Sequence, residues 1–547
     1  MSDATSCSFH KTECTAAIVF HDRITHCIRH AIFFIGFLVW CCSVAFSQNA
    51  PYIDSIQIVR QNVFDGEVTW IEKAINSVHT VTKEYAIRRE LLFHEGEPVN
   101  DQLFEETERN LRRIGFLGDI TISKSPVNDT LVNVRVTTHD RWTLNANTSL
   151  KREGGITNFG VSLSENNFIG FAQSLSVDYN YRSDRINPHG MEFHFREPRL
   201  FNSYWSTTLQ YFNSDDARLT TVLFEHPLYT EATSWSLGLY AENGEERKRL
   251  YSGGILVVDR LLGTEGQALW GIYSLNNTAK IRMGAAFVRN RKEYDSLVVN
   301  TSDNISLCNI SLGWLTRTYS TLTFVDRLGR VEDAPFGYSL SLVTGKDLAV
   351  DDLYYFKALC QYSDYYKNVL WYWSSSVQGY NRKNLFEETF FSFSNTASWK
   401  CSVADVVTTR IIGTFAIHPR PGTQTSLDSR GNVRGIQANL LQGSSLFVCN
   451  LEYRSATFIS WWIFDMGYVL FFDGGSVWKE QQLIAGQKFY KSIGIGARIL
   501  NNKQQGSGIV RFDFAYNTDL KNFELILSTN QLFNAIGQLD TASPNSF

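Results

Sequence analysis

The polar residues of this sequence do not have the spacing of a catalytic motif. The sequence has no GxSxG nucleophile elbow, no HExxH zinc motif and no GxxxxGK[ST] phosphate loop. Gly494-Ile495-Gly496 lies in an alternating segment, where close backbone packing explains the glycines better than a nucleotide-binding turn. His194 lies on the polar side of its segment, where we expect a solvated histidine. We therefore predict no catalytic residue, no enzymatic activity and no cofactor.

The cysteines also lack the spacing of a metal site. Of the nine cysteines, Cys308, Cys360, Cys401 and Cys449 are widely separated, and the others precede residue 48. No CxxC pair and no Cys/His cluster occurs among these four. We expect neither a metal site nor a disulfide framework.

Composition excludes one class of protein and favours another. The 547 residues include 51 Lys+Arg and 55 Asp+Glu, a net charge of −4, which does not fit a nucleic-acid-binding surface. Aromatic residues make up 14%, yet the mean hydropathy is only −0.18. Barrel strands alternate apolar and polar residues and dilute the hydropathy, so a β-rich membrane protein fits.

The N-terminal segment, residues 1–47, has the pattern of a signal peptide or leader. An apolar run from Ala31 to Trp40 follows two arginines, and the small residues Ala45 and Ser47 occupy positions −3 and −1 of a cleavage site. A transmembrane anchor is the alternative, but the run is shorter than the roughly 20 residues that cross a bilayer. A lipoprotein signal fits less well, because the bulky Trp40 precedes Cys41.

Residues 51–140 have the mixed periodicity of a small soluble α+β domain. Alternation and helical stripes predict the order β-α-α-β-β. The predicted elements are a strand over Tyr52–Arg60, a helix over Thr82–Phe93, a helix capped by Asn100 and ended by Gly115, and strands over Asp119–Lys124 and Thr130–Thr138.

From about residue 141 to 533 the helical period disappears and short segments alternate with period two. In one of them Met191, Phe193 and Phe195 oppose polar neighbours. A β-sandwich also alternates, but an outer-membrane barrel needs large apolar residues facing lipid and polar residues facing a wet lumen. At about 10 residues per strand, this stretch has room for 16 strands with long loops. Residues 534–547 form a C-terminal tail.

Several motifs resemble the outer-membrane protein assembly factor family, the BamA-like bacterial surface antigens. Members join periplasmic POTRA domains to a 16-stranded antiparallel transmembrane barrel. The β-α-α-β-β block is similar to one POTRA domain. Further similar segments are Glu165–Gly170, Glu197–Phe201, Asn432–Ile436, Asn450–Arg454 and Phe471–Trp478, in the order the family has them.

The most specific of these segments is Val433-Arg434-Gly435-Ile436, which resembles the family's inward-folded loop motif. Ile436 departs from the aromatic residue that is usual there. An arginine inside a lumen needs carboxylates, because its guanidinium is always charged. The resemblance implies that Glu452 and Asp473 tether Arg434. The alternative is an exposed Arg434 and acids that line a wet lumen independently.

The resemblance also implies a weak seam between the first and last barrel strands. We place it near Trp142 and Leu144 in the first strand and Phe523, Leu525, Leu527 and Phe533 in the last. The implied function is insertion of unfolded outer-membrane proteins, which reach the POTRA-like domain in the periplasm and enter the membrane through this seam. The implied partners are these clients, outer-membrane lipids, periplasmic chaperones and accessory lipoproteins.

Other functions remain open at this stage. Within the family, the alternative is an exporter of the TamA or two-partner-secretion kind. A porin-like passive channel belongs to a different class. We expect the protein in the bacterial outer membrane, with no nucleic-acid partner.

Overall fold

The computed structural model describes most of the chain after residue 50. The predicted signal segment and most of the predicted tail lie outside the described residues. The described residues are 51–64, 70, 73, 76–77, 79–113, 116–117, 120–140, 142–229, 233–276, 279–292, 303–323, 331–461, 464–480, 482, 484–501, 509–529 and 531–534.

The first part folds into a small α+β domain, as predicted. Its elements are β1 (Tyr52–Gln61), α1 (Glu84–Arg88), α2 (Asp101–Arg113), β2 (Thr121–Pro126) and β3 (Leu131–His139). The sheet order is β1-β3-β2, with β1 parallel and β2 antiparallel to β3. Ile87, Leu111, Val134 and Val136 are almost fully buried in its core.

Capping and amphipathicity explain α2. The side-chain oxygen of Asn100 accepts a hydrogen bond from the Gln102 backbone N–H at 3.0 Å, as an N-cap residue does. Phe104 and Leu111 are buried on one stripe. The predicted first helix, Thr82–Phe93, is too long: α1 begins after Lys83, whose N–H donates to the Gly170 carbonyl at 2.9 Å.

The rest of the described chain is almost entirely β-strand. The strands are β4 (Leu144–Glu153), β5 (Ile156–Glu165), β6 (Ser174–Arg182), β7 (His189–Glu197), β8 (Ser206–Asn213), β9 (Ala217–His226), β10 (Trp235–Ser252), β11 (Ile255–Asn276), β12 (Lys280–Lys292), β13 (Asp303–Thr323), β14 (Val331–Asp347), β15 (Leu353–Tyr366), β16 (Val369–Arg382), β17 (Leu385–Lys400), β18 (Asp405–Ile417), β19 (Thr425–Leu427), β20 (Leu441–Gly443), β21 (Ser445–Trp461), β22 (Phe464–Trp478), β23 (Tyr490–Asn501), β24 (Ile509–Asn517) and β25 (Asn522–Thr529).

Within the described residues, 20 of these strands close into one antiparallel barrel, so the prediction of 16 strands is wrong. The prediction allowed for long loops, but several hairpins turn through two residues with positive φ, as type I′ turns do. Gly154-Gly155, Gly253-Gly254, Lys367-Asn368 and Lys383-Asn384 are such turns. Short connections leave enough residues for four more strands. The short strands β19 and β20 pair only with each other.

The two faces of the barrel differ as the alternation predicted. Large apolar side chains are exposed around the outside, among them Phe193, Leu209, Leu239 and Leu312. The other face carries buried polar residues from many strands. Among the helices of the described residues, none combines the length and the apolar character that a membrane-spanning helix needs.

Successive barrel strands alternate in direction, which defines two ends. β4 begins at the end next to the small domain, so the β5–β6 and β7–β8 turns lie at that end. The β4–β5 and β10–β11 turns lie at the far end. Residues 418–444, between β18 and β21, also leave from the far end, and we call them the lumen loop.

Candidate functional site

The lumen loop folds back into the barrel, and its apolar residues help to hold it there. Leu427, Val433 and Ile436 are completely buried, in one cluster with Leu446 and Val448 at the start of β21. Ile436, which departs from the aromatic residue usual in the motif, therefore fills an apolar site. This packing places the neighbouring Arg434 side chain inside the barrel, with none of it exposed.

Arg434 contacts three buried carboxylates on three strands. Its Nε donates to Asp473 Oδ2 at 2.7 Å, and one terminal nitrogen lies 2.8 Å from Glu452 Oε1. The other terminal nitrogen donates to Asp513 Oδ2 at 3.0 Å. The structure therefore brings together the three residues named from sequence and adds Asp513. Asp513 was visible only as a polar residue in the alternation of β24.

Electrostatics keeps Arg434 charged. Burial alone lowers the pKa of its guanidinium, but Asp473, Glu452 and Asp513 raise this pKa well above its usual value. The ring of Phe471 adds a cation–π contact, with its centroid 3.4 Å from the guanidinium carbon. A buried charge of this kind is tolerated only when it is fully paired.

Two glycines of β23 make room for this arrangement. A Cβ on Gly494 would lie 2.2 Å from Phe471 Cζ and equally close to the Phe514 carbonyl oxygen. A Cβ on Gly496 would lie 2.0 Å from Asp513 Oδ1. The prediction that this Gly-Ile-Gly segment serves close packing is confirmed.

Further arginines extend the network along the lumen wall. Arg454 donates to Glu452 at 2.9 Å, and Arg498 donates to Asp513 at 2.6 Å. Arg511 pairs with Glu153, the last residue of β4. Sequence reasoning missed these arginines, although each lies on the polar face of an alternating strand.

The lumen loop also joins the first and last barrel strands. The Gly435 N–H donates to Glu524 Oε2, on β25, at 3.0 Å. The Ala438 N–H donates to the carbonyl of Gly154, directly after β4, at 2.9 Å. Glu524 in turn accepts from the Gly154 N–H and from the Ser429 hydroxyl. The loop therefore lies across the inner side of the junction between β4 and β25.

The β4–β25 junction itself has little backbone pairing. Within the described residues, the two strands share a single register pair, Leu527 with Arg152. By contrast, the neighbouring β24–β25 ladder pairs all eight residues of β25, from Asn522 to Thr529. The barrel is thus closed at this position mainly by side chains and by the lumen loop.

The structure divides the residues that we assigned to the seam. Trp142, Leu144, Phe523 and Leu525 are exposed, and Leu527 is half-buried. Trp142 precedes β4 and its ring lies 6.4 Å from that of His79 in the small domain. Phe533 differs from the expectation: β25 ends at Thr529, and Phe533 lies beyond it, 7% exposed.

Phe533 lies against lumen arginines instead of the seam. Its carbonyl accepts a hydrogen bond from Arg454 at 2.9 Å. Its ring centroid lies 4.6 Å from the guanidinium carbon of Arg410 and 4.9 Å from that of Arg454. The nearby Gln531 side chain accepts from Arg498 Nε at 2.8 Å. The chain after β25 therefore turns inward.

A hairpin at the far end holds the lumen loop from outside. The Tyr251 backbone, at the end of β10, donates to Gln424 Oε1 at 3.0 Å and accepts from Gln424 Nε2 at 2.6 Å. The Gly253 N–H, in the β10–β11 turn, donates to Gln442 Oε1 at 3.3 Å. The β10–β11 hairpin, whose strands contain 18 and 22 residues, thus binds the loop at the far end of the barrel.

Buried polar contacts fix the small domain to the barrel. Asp140 Oδ2 accepts hydrogen bonds from the Thr82 N–H at 2.7 Å and from its hydroxyl at 2.8 Å. The same hydroxyl accepts from Asn167 of the β5–β6 turn at 2.8 Å. Glu90 of the small domain pairs with Arg199 of the β7–β8 turn, and both are buried.

The described residues contain no group of three or more His, Cys, Asp or Glu arranged to hold a metal ion. Cys308, Cys360, Cys401 and Cys449 are free thiols. The site is therefore built from ion pairs and hydrogen bonds.

Comparisons with known proteins give a family match in the small domain. Residues 73–139 match the POTRA model, described as surface antigen variable number repeat. The outer membrane protein assembly factor BamA of Neorickettsia risticii (strain Illinois) is 26% identical over 237 residues, which is 43% of this chain and 30% of the relative. The chain thus matches less than a third of the length of this relative. The resemblance to BamA-like surface antigens is confirmed by these two matches.

Solved structures with lower similarity also align over most of the chain. BamA from Haemophilus ducreyi lacking POTRA domains 1–3 aligns with 13% identity and a TM-score of 0.43, covering 88% of this chain and 84% of that one. CdiB from Acinetobacter baumannii aligns with 12% identity and a TM-score of 0.43, covering 88% and 73%.

Proposed function

We propose that this chain, a relative of the BamA-like surface antigens, inserts unfolded β-barrel proteins into the bacterial outer membrane. In this proposal the POTRA-like domain lies in the periplasm and receives extended clients. The clients are unfolded outer-membrane proteins, with periplasmic chaperones and accessory lipoproteins as further partners. The N. risticii relative is an outer-membrane protein assembly factor, which supports this choice.

The observation that carries the proposal is the β4–β25 junction. An unpaired strand edge in hydrocarbon is costly, because lipid cannot satisfy backbone N–H and C=O groups. A junction with one register pair presents edges that a client strand can pair with by β-augmentation. Client folding then supplies the free energy, and no nucleotide is needed.

In this mechanism the lumen loop controls the junction. The motif Val433-Arg434-Gly435-Ile436 is tethered to the wall through Glu452 and Asp473. Gly435 of the motif contacts Glu524 of β25, and the nearby Ala438 contacts Gly154 directly after β4. We propose that the tether keeps the junction aligned when it is closed. Trp142, Leu144, Phe523, Leu525 and Leu527 then form the lipid-side border through which a client leaves.

The experiment locks the junction with a disulfide. Arg152 and Leu527 face each other across the seam, so the double variant R152C/L527C places two thiols there. The four described cysteines are alanine in this variant. We expect the oxidised protein, reconstituted in liposomes, to lose most of its ability to accelerate folding of a urea-unfolded barrel client. Reduction should restore the rate.

A matched control uses a closed ladder. Val177 and Phe193 face each other across β6 and β7, away from the seam, so V177C with F193C adds a disulfide without locking the junction. This control should insert clients in both redox states. Full activity of the oxidised seam variant would contradict the proposal.

Depletion in cells distinguishes general insertion from the other two functions. Loss of many outer-membrane proteins is expected for an insertase, loss of one secreted client for an exporter, and loss of solute uptake for a channel. The loop packed inside the barrel argues against an open passive channel, because it occupies the lumen.

A further inference from the structure

Two turns at the small-domain end of the barrel share an unusual construction. Phe168–Gly170, between β5 and β6, and Leu200–Asn202, between β7 and β8, each form a short 3₁₀ turn. The middle residue of each turn has a left-handed backbone: φ is 54° for Ile169 and 52° for Phe201. Bulky and β-branched residues rarely adopt this conformation, which suits Gly or Asn. The backbone geometry therefore does not account for the choice of these side chains.

Packing within the chain does not account for them either. Phe201 is 92% exposed and Ile169 is 54% exposed. The backbones of the turns are nevertheless held in place: the Gly170 carbonyl accepts from the Lys83 N–H at 2.9 Å, and the second turn carries the buried ion pair with the small domain described above. The turns therefore hold the backbone positions of two large exposed apolar side chains next to the small domain.

Strand length places these turns at the level of the membrane interface. Strands β5 to β8 contain 10, 9, 9 and 8 residues. A tilted transmembrane strand needs about 9–11 residues to cross the hydrocarbon. Strands β5 to β7 are therefore just long enough to cross and β8 is one residue shorter, so the β5–β6 and β7–β8 turns lie directly at the edge of the apolar layer.

An aromatic cluster beside the second turn marks the same level. Tyr204 stacks on Tyr229 at 3.9 Å, and Trp205 stacks on Phe224 at 4.7 Å. Trp235, at the start of β10, is 44% exposed. Aromatic girdles of this kind border the apolar band of outer-membrane barrels.

We propose that Ile169 and Phe201 are interfacial anchors that enter the headgroup region of the periplasmic leaflet, with phospholipid as the partner. Insertion removes apolar surface from water, and this supplies a reason for large side chains at strained positions. Because the same turns bind the small domain, the anchors also set its height and tilt below the membrane. The anchoring goes beyond client insertion and requires only that the barrel lies in a bilayer.

The test measures the depth of each side chain. Single cysteines replace Ile169, Phe201, Leu209 or Val127 in a full chain whose nine native cysteines are alanine. Each variant carries a nitroxide label and is reconstituted in nanodiscs of phosphatidylethanolamine and phosphatidylglycerol. Leu209 is an exposed residue on the outer face of β8, and Val127 is an exposed residue of the β2–β3 turn in the small domain. Electron paramagnetic resonance then gives the accessibility of each label to oxygen and to a water-soluble nickel chelate.

For each label we compare the accessibility to oxygen with the accessibility to the nickel chelate. We expect this ratio at 169 and 201 to be several-fold above the ratio at 127 and to approach the ratio at 209. A ratio at either turn equal to that at 127 would overturn the proposal, because both anchors are required.

The Phe201→Gly variant gives a second measurement. It relieves the left-handed strain, so its melting temperature in detergent should not fall, whereas a label at 169 should become more accessible to nickel in nanodiscs. A fall in melting temperature, or an unchanged label at 169, would indicate a packing role instead.

Discussion

At the scale of single residues, the site depends on one arginine whose partners lie far apart in the chain. The motif that contains Arg434 and the polar faces of the strands that carry Glu452 and Asp473 were recognisable in the sequence. Asp513 was not, because it lies 79 residues after Arg434 and meets it only through closure of the barrel. Phe533 was assigned to the last strand, since alternation does not reveal that the chain turns inward after Thr529.

Replacing Arg434 tests the buried network directly. Arg434→Ala leaves three buried carboxylates without their shared cation, so we expect a loss of about 3–5 kcal/mol in folding stability. Arg434→Lys keeps the charge but loses the planar fork, and should cost less. The measurement is the unfolding midpoint in urea, in detergent micelles, together with the yield of folded barrel.

A partly exposed arginine provides the control for this measurement. Arg182 pairs with Asp184 and Asp216 near the far end, and the three side chains are 31%, 21% and 37% exposed. Because exposed ion pairs contribute roughly 0–1 kcal/mol, Arg182→Ala should change the midpoint little. Equal midpoints for the Arg434→Ala variant and the parent chain would show that the network does not stabilise the barrel.

At the scale of elements, the length of the turns explains why the barrel has more strands than predicted. The alternation identified β-structure correctly, but the count of 16 assumed about 10 residues per strand with long loops, whereas tight turns such as the Lys-Asn pairs at 367–368 and 383–384 leave room for more strands. Both residues of each pair have positive φ, which Lys adopts less readily than Gly or Asn. The small α+β domain was easier to predict, since helical stripes and N-cap chemistry are local signals, as at Asn100.

The close packing of β22, β23 and β24 can be tested at one glycine. Gly494→Ala places a methyl group 2.2 Å from Phe471 and from a backbone oxygen of β24, so we expect a loss of about 1–3 kcal/mol from overpacking. Gly271→Ala, on β11, is the matched control, because its Cβ would lie 3.7 Å from the nearest atom, an ordinary contact. Thermal unfolding in detergent compares the two variants; a control as unstable as Gly494→Ala would refute the packing explanation.

At the scale of the whole molecule, the barrel encloses the lumen loop and the segment that follows β25. The sequence resemblance predicted the barrel, the attached small domain and an inward loop. It could not predict that residues from the loop, from both junction strands and from the segment after β25 would share one lumen, because that arrangement depends on the register of all the strands. The junction between β4 and β25 is therefore coupled to the lumen through Glu524 and Gly154.

The clasp between the β10–β11 hairpin and the lumen loop has an electrical consequence. Gln424 and Gln442 fasten the lumen loop to the hairpin at the far end, and Arg434 fastens it to the wall inside the barrel. Hydrated ions that move along the barrel axis are therefore obstructed by the loop. In planar bilayers the intact protein should therefore pass little current. Removal of residues 423–443 takes away this obstruction together with the contacts of the loop to β4 and β25, so the unitary current should rise towards that of an open pore.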